Sequence, residues 1–280
     1  MPKSVFITGC SKGGIGHSLA REFKKHGIRV FATARKAESI SDLQDEGIET
    51  LSLEVTKQES IDALKAEIES RTGGRLDYLV NNAGRNYTVP ALDVELEEIR
   101  LTFETNLFAV MRMCQAFAPL LINAKGTIVQ IGSLAGIIPY VFGSVYNASK
   151  AALHSYSNTL RVELEPFDVR VVTVVTGGVK SNIARTHRTL PEDSIYFPIE
   201  KEYTERLTHS QAQGVPNEDY ARRVVKQVLT KPKKDHLWEG GKAWLVWFVS
   251  NFLPRWVMDS VLSRMFKLWK LKGTYQKKVA

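Results

Sequence analysis

The chain opens with Val5-Phe6-Ile7-Thr8-Gly9-Cys10-Ser11-Lys12-Gly13-Gly14-Ile15-Gly16, an apolar run that breaks into glycines and then turns helical. Three bulky apolar residues in a row signal a buried strand. Beyond the glycines, Leu19, Ala20 and Phe23 fall on one side of a helix that Gly27 stops. Strand, glycine-rich turn and helix start together make a geometry that can hold a pyrophosphate. The glycines let backbone N–H groups approach the anion, and the helix N-terminus adds partial positive charge. Tight strand-to-helix turns also use glycine for steric reasons alone. The position directly after a first strand favours the phosphate reading.

Working outward, Arg29 to Thr33 reads as a second strand that ends in Ala34-Arg35-Lys36. A dinucleotide fold that takes the plain ribose carries an acid near this point to bind the 2′-hydroxyl. Here Arg35 and Lys36 stand in its place, with Lys12 in the glycine turn as a further cation. A ribose 2′-phosphate suits them, so the expected cofactor is NADPH; the plainer alternative is a solvated basic turn. The alternation then repeats. Strands are expected at Ile48–Val55, Leu76–Val80, Thr127–Ile131 and Val169–Val175, with helical patterns between them, the longest from Glu97 to Asn123. Strands alternating with helices of this length predict an α/β fold with a doubly wound, Rossmann-like parallel sheet. Ligands bind such sheets at the carboxyl ends of the strands. Gly9, Arg35, Glu54, Asn82, Ser133 and Gly177 all fall at that edge.

Tyr146-Asn147-Ala148-Ser149-Lys150 lies in a segment, Val145 to Leu164, that reads as a helix. Residues four apart share a helix face, so the Tyr146 hydroxyl and the Lys150 ammonium can point into one small volume. A phenol works as a general acid near neutral pH if a fixed cation draws its pKa down from ~10. Alone the pair is weak, since an exposed Tyr and Lys at this spacing arise by chance on many helices.

The order of the motifs is more specific than any one of them. The glycine turn, Asn81-Asn82-Ala83-Gly84, Asn106 in the long helix, Ser133 thirteen residues before Tyr146, and Lys150 follow one another along the chain. On these residues, roughly the first 230 residues resemble the short-chain dehydrogenase/reductase family. The resemblance implies that Tyr146 protonates a substrate carbonyl oxygen and that Ser133 hydrogen-bonds the same oxygen. Lys150 would lower the Tyr146 pKa and hold the nicotinamide ribose, and Asn106 would position a water in a proton relay. It implies NADPH/NADP+ contacts from Gly9, Ser11, Lys12, Gly14, Ile15, Gly16, Arg35, Glu54, Asn82, Tyr146, Lys150, Val179 and Ser181, and no metal.

Three departures concern cofactor geometry: the glycine loop is one residue longer, Glu54 replaces the usual Asp, and Thr176 replaces a proline before Gly177. Within the family, the stretch Thr8 to Gly16, Thr176-Gly177-Gly178-Val179, Phe142 to Lys150 and the extended C-terminus are similar to fungal 1-acyldihydroxyacetone-phosphate reductases. That likeness implies NADPH reduction of the ketone of an acylated triose phosphate. An alternative is a fungal tailoring ketoreductase or alcohol dehydrogenase acting on a polyketide or terpenoid. An alternative of another class is a non-catalytic dinucleotide-binding regulator, against which the intact Ser133, Tyr146 and Lys150 argue.

Of 280 residues, 44% are hydrophobic and 24% charged, ample for a globular core. Two distant cysteines, Cys10 and Cys114, suggest no disulfide framework and fit a reducing compartment. The N-terminal apolar run is too short for a signal peptide. The net charge is +8, and residues 231–280 carry 11 Lys and Arg against 3 Asp and Glu, which leaves the first 230 residues neutral. That imbalance excludes a uniformly basic nucleic-acid binder.

The organisation expected is a catalytic domain, 1–237, and a basic amphipathic extension, 238–280. An irregular lid at about 181–215 contains Arg185, His187 and Arg188, which suit a substrate phosphate. Tyr87, Tyr140 and Phe142 are candidates for an apolar substrate wall. In the extension, Ala243 to Val249 is too short to span a bilayer. Val257, Met258, Val261, Leu262, Met265, Leu268 and Trp269 recur at three- and four-residue steps, with Ser260, Ser263, Arg264, Lys267 and Lys270 opposite. Such a helix lies in a membrane interface, tryptophans at headgroup depth. A peripheral enzyme is therefore expected, on the cytoplasmic face of the endoplasmic reticulum or a lipid droplet, acting on an amphiphilic small-molecule ketone. The alternatives are a soluble cytoplasmic protein whose stripe packs on its own domain, and a homo-oligomer contact.

Overall fold

The computed structural model describes residues 2–184, 188–230 and 234–274; Arg185 and His187 lie outside them. Seven parallel strands form one sheet in the order β3-β2-β1-β4-β5-β6-β9. They are β1 (Ser4–Ile7), β2 (Arg29–Ala34), β3 (Glu49–Ser52), β4 (Tyr78–Asn81), β5 (Thr127–Ile131), β6 (Arg170–Thr176) and β9 (His236–Glu239). The central strands are apolar on both sides because helices cover both faces of the sheet. Helices α1 (Ile15–Lys25) and α8 (Asn217–Thr230) cover one face, burying Leu19, Phe23, Tyr220 and Val224 there, with short α2 (Ser41–Asp45) beside them. On the other face lie α3 (Gln58–Thr72), α4 (Leu96–Phe103), α5 (Ala109–Ala124) and α6 (Ser144–Leu164), where Ile61, Val110, Phe117 and Leu153 are buried.

The expected Rossmann-like sheet is present as a single domain. Strand order reverses between β1 and β4, which opens the crevice where ligands bind in such sheets. Helices α4 and α5 form one continuous run, Leu96–Ala124, joined by a π turn over Glu104–Phe108. By length and composition that run is apolar enough to cross a membrane. Its residues Leu107, Val110, Met113, Phe117, Leu120 and Leu121 are instead buried against the sheet, so it is a core helix.

Two sequence expectations change. The lid is largely helical: α7 (Glu200–Gln213) follows a 3-10 turn at Phe197–Ile199, and the two-residue strands β7 (Val179–Lys180) and β8 (Val215–Pro216) pair across its base. A proline near a helix start is compatible with the first turn, so Pro198 did not forbid the helix. A domain boundary after Leu237 would cut β9, which pairs with β6 through Val174–Leu237 and Val175–Trp238. The sheet is complete only at Glu239.

The chain beyond the sheet forms α9 (Ala243–Phe252) and α10 (Arg255–Met265). Leu262 and Phe266 enter a third apolar cluster with Phe142, Leu190, Ile199, Tyr203 and Leu207. Glu202 on α7, only 3% exposed, receives Lys270 Nζ at 2.8 Å and Lys267 Nζ at 3.2 Å. Those lysines hold its carboxyl down at about 2. The stripe read from sequence is therefore split. Leu262 packs inward on α7, while Val261, Met265 and Trp269 stay exposed, as do Trp244, Phe248, Phe252 and Trp256.

Candidate active site

A cleft of about 1100 Å³ runs along the carboxyl edge of the sheet, from the glycine loop to α9 and α10. At one end, Gly9 adopts φ +72° and its absent side chain makes room for the next strand's loop: a Cβ there would sit 2.8 Å from Ala83 Cα. At Gly16 a Cβ would come within 2.5 Å of Asn82 Nδ2 and 2.6 Å of the Gly9 oxygen. Asn82 braces this turn from β4, donating to the Thr8 and Gly9 carbonyls at 2.9 Å each. The Thr8 hydroxyl accepts from the Asn82 and Ala83 N–H groups at 3.0 and 2.9 Å. Gly9, Ser11, Gly14 and Ile15 line the cleft, and Gly16 is buried beneath them. This cradle, with the start of α1 behind it, fits a pyrophosphate.

Arg35 is exposed and lines the same end, where its guanidinium is free to meet a 2′-phosphate. Lys12 lies outside the cleft lining and sits 3.9 Å from Asp42. Glu54 turns back on its own loop, accepting from Thr56 Oγ1 at 2.9 Å. Its neighbour Val55, which sequence reasoning passed over, lines the cleft beside it. Val179 and Ser181 line the cleft from beyond β6.

Mid-cleft, α6 delivers Tyr146 and Lys150 to one side. The Lys150 ammonium lies 5.9 Å from the Tyr146 ring centroid and donates to the Ile131 carbonyl at 2.8 Å. Burial holds Lys150 down at about 8. Ser133 caps the 3-10 turn Leu134–Gly136, its Oγ accepting from Ala135 N at 3.1 Å, and its own N–H donates to His154 Nε2 at 3.2 Å. Burial keeps His154 at about 4, so near neutral pH its imidazole is uncharged and able to accept that bond. The Tyr146 phenol is raised above its ordinary value by burial, with the Ser133 hydrogen bond and the Arg206 charge pulling the other way. Sequence pointed to Lys150 as the cation acting on Tyr146. The structure adds a second cation, Arg206 of α7, whose charge also pulls the phenol down.

Asn106 sits in the π turn, fully buried. Its Oδ1 accepts from Arg85 N at 2.9 Å, and its Nδ2 donates to the Arg85 carbonyl at 2.9 Å and to Ser149 Oγ at 3.0 Å. A π turn inside a helix frequently marks a functional position. Here it aims one amide at both the loop after β4 and the helix carrying Tyr146.

The substrate end differs most from expectation. Tyr140 lines the cleft, but Phe142 is buried in the third cluster at φ 62° and Tyr87 is 2% exposed under Arg188. Arg188 is taken up by Glu98 at 2.9 Å, which leaves it a poor phosphate ligand. The wall comes instead from α9 and α10, through Leu245, Val246, Val249, Met258, Leu262 and Met265. Arg206 and His209, on α7, complete it. Neither was singled out from sequence, although Ile199, Tyr203, Arg206 and Leu207 follow helical spacing and share the buried face. Cys10 and Cys114 are buried free thiols, pushed up to about 12 and about 11 by that burial.

The family model described as short chain dehydrogenase matches residues 3–191. A short-chain dehydrogenase of Aspergillus ruber is 43% identical over 278 residues, covering 99% of this chain and 97% of its own. An NADPH-dependent 1-acyldihydroxyacetone phosphate reductase of Schizosaccharomyces pombe is 46% identical, covering 71% of this chain and 69% of its own. The reductase of that same description from Saccharomyces cerevisiae is 37% identical over 99% of this chain and 96% of its own. Among solved structures, a short-chain dehydrogenase from Streptomyces avermitilis matches with a TM-score of 0.77 and 28% identity, covering 97% of each chain.

Proposed function

The chain belongs to the short-chain dehydrogenase family of oxidoreductases, and from there we propose that it is an NADPH-dependent reductase of an amphiphilic ketone. We take the substrate to be 1-acyldihydroxyacetone phosphate and the product 1-acylglycerol 3-phosphate. One observation carries this reading. A single cleft joins a pyrophosphate cradle with Arg35 at one end, Tyr146 in the middle, and an apolar wall from α9 and α10 at the other. The activity of the two yeast reductases supports the same substrate.

The nicotinamide, when bound, supplies the hydride. The chain's residues supply position and a proton. Gly9, Ser11, Gly14, Ile15 and Gly16 would hold the pyrophosphate, Arg35 the 2′-phosphate, Lys150 the nicotinamide ribose, and Glu54, Asn82, Val179 and Ser181 the flanks. Tyr146 Oη gives its proton to the carbonyl oxygen as that oxygen gains negative charge, and Ser133 Oγ donates a hydrogen bond to it. Burial keeps the phenol protonated at neutral pH, so the proton is in place for the reducing direction, and the Ser133 hydrogen bond and Arg206 charge oppose the rise that burial causes. Asn106 supports the step by fixing Arg85 and Ser149 in place. Tyr146→Phe retains the ring and removes the donor. Turnover of acyl-dihydroxyacetone phosphate with NADPH should fall by at least ~100-fold while NADPH still binds. A Phe variant that keeps most of the wild-type kcat contradicts the assignment.

We further propose that the enzyme works from a membrane surface, on the cytoplasmic face of the endoplasmic reticulum or a lipid droplet. Trp244, Phe248, Phe252 and Trp256 are exposed on the two helices whose other sides wall the cleft. Arg255, Arg264 and Lys272 lie among them, and aromatic rings with basic residues suit an anionic interface. A second reading, reduction of a polyketide or terpenoid ketone, draws support from Ile138 and Tyr140 in the cleft, which suit a rigid ring as well as an acyl chain. Comparing turnover of the two ketone classes decides between them.

A further inference from the structure

Arg206 is a cation without an anion. It projects from α7 into the cleft beside Tyr146 and is only 6% exposed. Its guanidinium lies 3.8 Å over the Tyr140 ring, and its Nε donates to the Val141 carbonyl at 3.2 Å. The ionisable groups facing it are Tyr140, Tyr146, Tyr203 and His209, none of them an anion near neutral pH. Among the described residues no carboxylate stands within ion-pair distance of it. Glu202, one turn earlier on α7, is already bound by Lys267 and Lys270. Burying an unpaired guanidinium is strongly unfavourable, and folded proteins normally pair such a charge.

The surroundings indicate what completes it. The Tyr140 hydroxyl is hydrogen-bonded to His209 Nδ1, and Lys242 lines the cleft nearby, donating to Gln213 Oε1 at 2.7 Å. Arg206 and Lys242 both act to depress the His209 imidazole, after burial itself. Arg206, His209 and Lys242 thus bring three nitrogen bases to the lining of the cleft, beyond the glycine loop and Arg35 in the chain. Immediately beyond them is the apolar wall of Val246, Met258 and Leu262.

We propose that Arg206 is the receptor for a phosphate monoester carried by the substrate next to its ketone, with His209 and Lys242 as its neighbours. Arg presents a planar pair of donors that matches two phosphate oxygens, and stacking on Tyr140 fixes the plane of that fork. The phosphate neutralises the buried charge, the carbonyl falls to Tyr146 and Ser133, and the acyl chain runs along α9 and α10. This inference rests on the amphiphilic-ketone reading and narrows it.

The test uses the full chain saturated with NADPH, so that the cofactor's own phosphates occupy their site. Octyl phosphate and octanol, below micellar concentrations, are titrated calorimetrically into the wild type, Arg206→Met and Arg206→Lys. The wild type should prefer octyl phosphate. Arg206→Met should cut the affinity ratio of octyl phosphate to octanol by roughly 10- to 100-fold, with Arg206→Lys between them. Absence of a preference in the wild type, or equal losses for both ligands in Arg206→Met, overturns the inference, the second outcome making Arg206 a packing residue. If octyl phosphate binds as expected but acyl-dihydroxyacetone phosphate is not reduced, the substrate reading fails while the anion site stands. If that ketone is reduced yet the ratio ignores Arg206, the anion site alone fails.

Discussion

Replacing Asn106 with alanine separates two roles that a buried amide beside a reacting centre can have. The side chain makes three hydrogen bonds, two to the Arg85 backbone and one to Ser149 Oγ, all between 2.9 and 3.0 Å. Alanine removes all three and leaves the partly buried N–H and carbonyl of Arg85 without their partner. An abandoned polar group in such a place costs about 1–3 kcal/mol. With some relaxation of the loop and of Ser149, the sum is about 2–3 kcal/mol. For a chain of this length the thermal midpoint moves roughly 2 °C per kcal/mol, so Asn106→Ala should melt ~4–6 °C below the wild type. Because Arg85 follows directly on Asn82 to Gly84, the loosened loop should also weaken NADPH binding several-fold. Scanning calorimetry and a fluorescence titration of NADPH measure the two effects on one sample. A variant that melts within ~1 °C of the wild type but loses turnover would show that Asn106 serves the reacting atoms alone, and the brace described above would be refuted.

Arg35→Asp replaces a free cation at the cofactor end with a repelling charge that can accept from a 2′-hydroxyl. The NADPH/NADH ratio of kcat/KM should drop at least ~10-fold, and an unchanged ratio would place cofactor discrimination elsewhere. Trp244→Ser, Phe248→Ser and Trp256→Ser together alter only exposed rings, so the triple variant should keep its melting temperature and release from anionic liposomes. Full-length protein that stays in the supernatant at low salt rules out the membrane face. Acid should weaken the fold in two steps. His154, lowered from 6.5 to about 4 by burial, takes up a proton more readily when unfolded, so its contribution is complete above pH 6.5 and declines as pH falls toward 4. Glu202, lowered from 4.5 to about 2 by Lys270 first, contributes fully above pH 4.5 and is lost as pH falls toward 2. Glu202→Gln should remove the lower step, and a melting temperature flat from pH 7 to pH 3 would contradict both.

The sheet was legible because its central strands are largely apolar, as strands covered on both faces are, and because glycine follows several of them. Ser133, Tyr146 and Lys150 were legible because each motif recurs at a fixed distance from the next. Strand β9 was not, since His236-Leu237-Trp238-Glu239 lies at a sheet edge and only Leu237 is fully buried. Helix α7 was hidden by its polar composition: of fourteen residues, Tyr203 and Leu207 are its buried apolar ones. Arg206 was hidden more deeply, because an arginine on a polar helix normally faces water, and nothing local to it says that Tyr140 and Tyr146 will close over it. The tail's apolar spacing was legible, but Lys267 and Lys270, expected on its outer polar side, turn in to buried Glu202 while Val261, Met265 and Trp269 stay exposed. Which side of the tail faces the protein depended on Phe142, Ile199 and Tyr203, residues about 60 to 120 positions away in the chain.

That the last helices wall the cleft has a consequence for biosynthesis. The ribosome makes the cofactor cradle before the substrate wall. At ~5–20 residues per second, Ala243 to Met265 takes roughly 1–5 s to synthesise once strand β9 is made. During that interval the newborn chain has its glycine loop, Ser133, Tyr146 and Lys150, but Tyr140, Phe142, Ile199 and Tyr203 have no Leu262 or Phe266 to pack against. A truncated translation product therefore emerges as an open, sticky reductase frame rather than a smaller working enzyme.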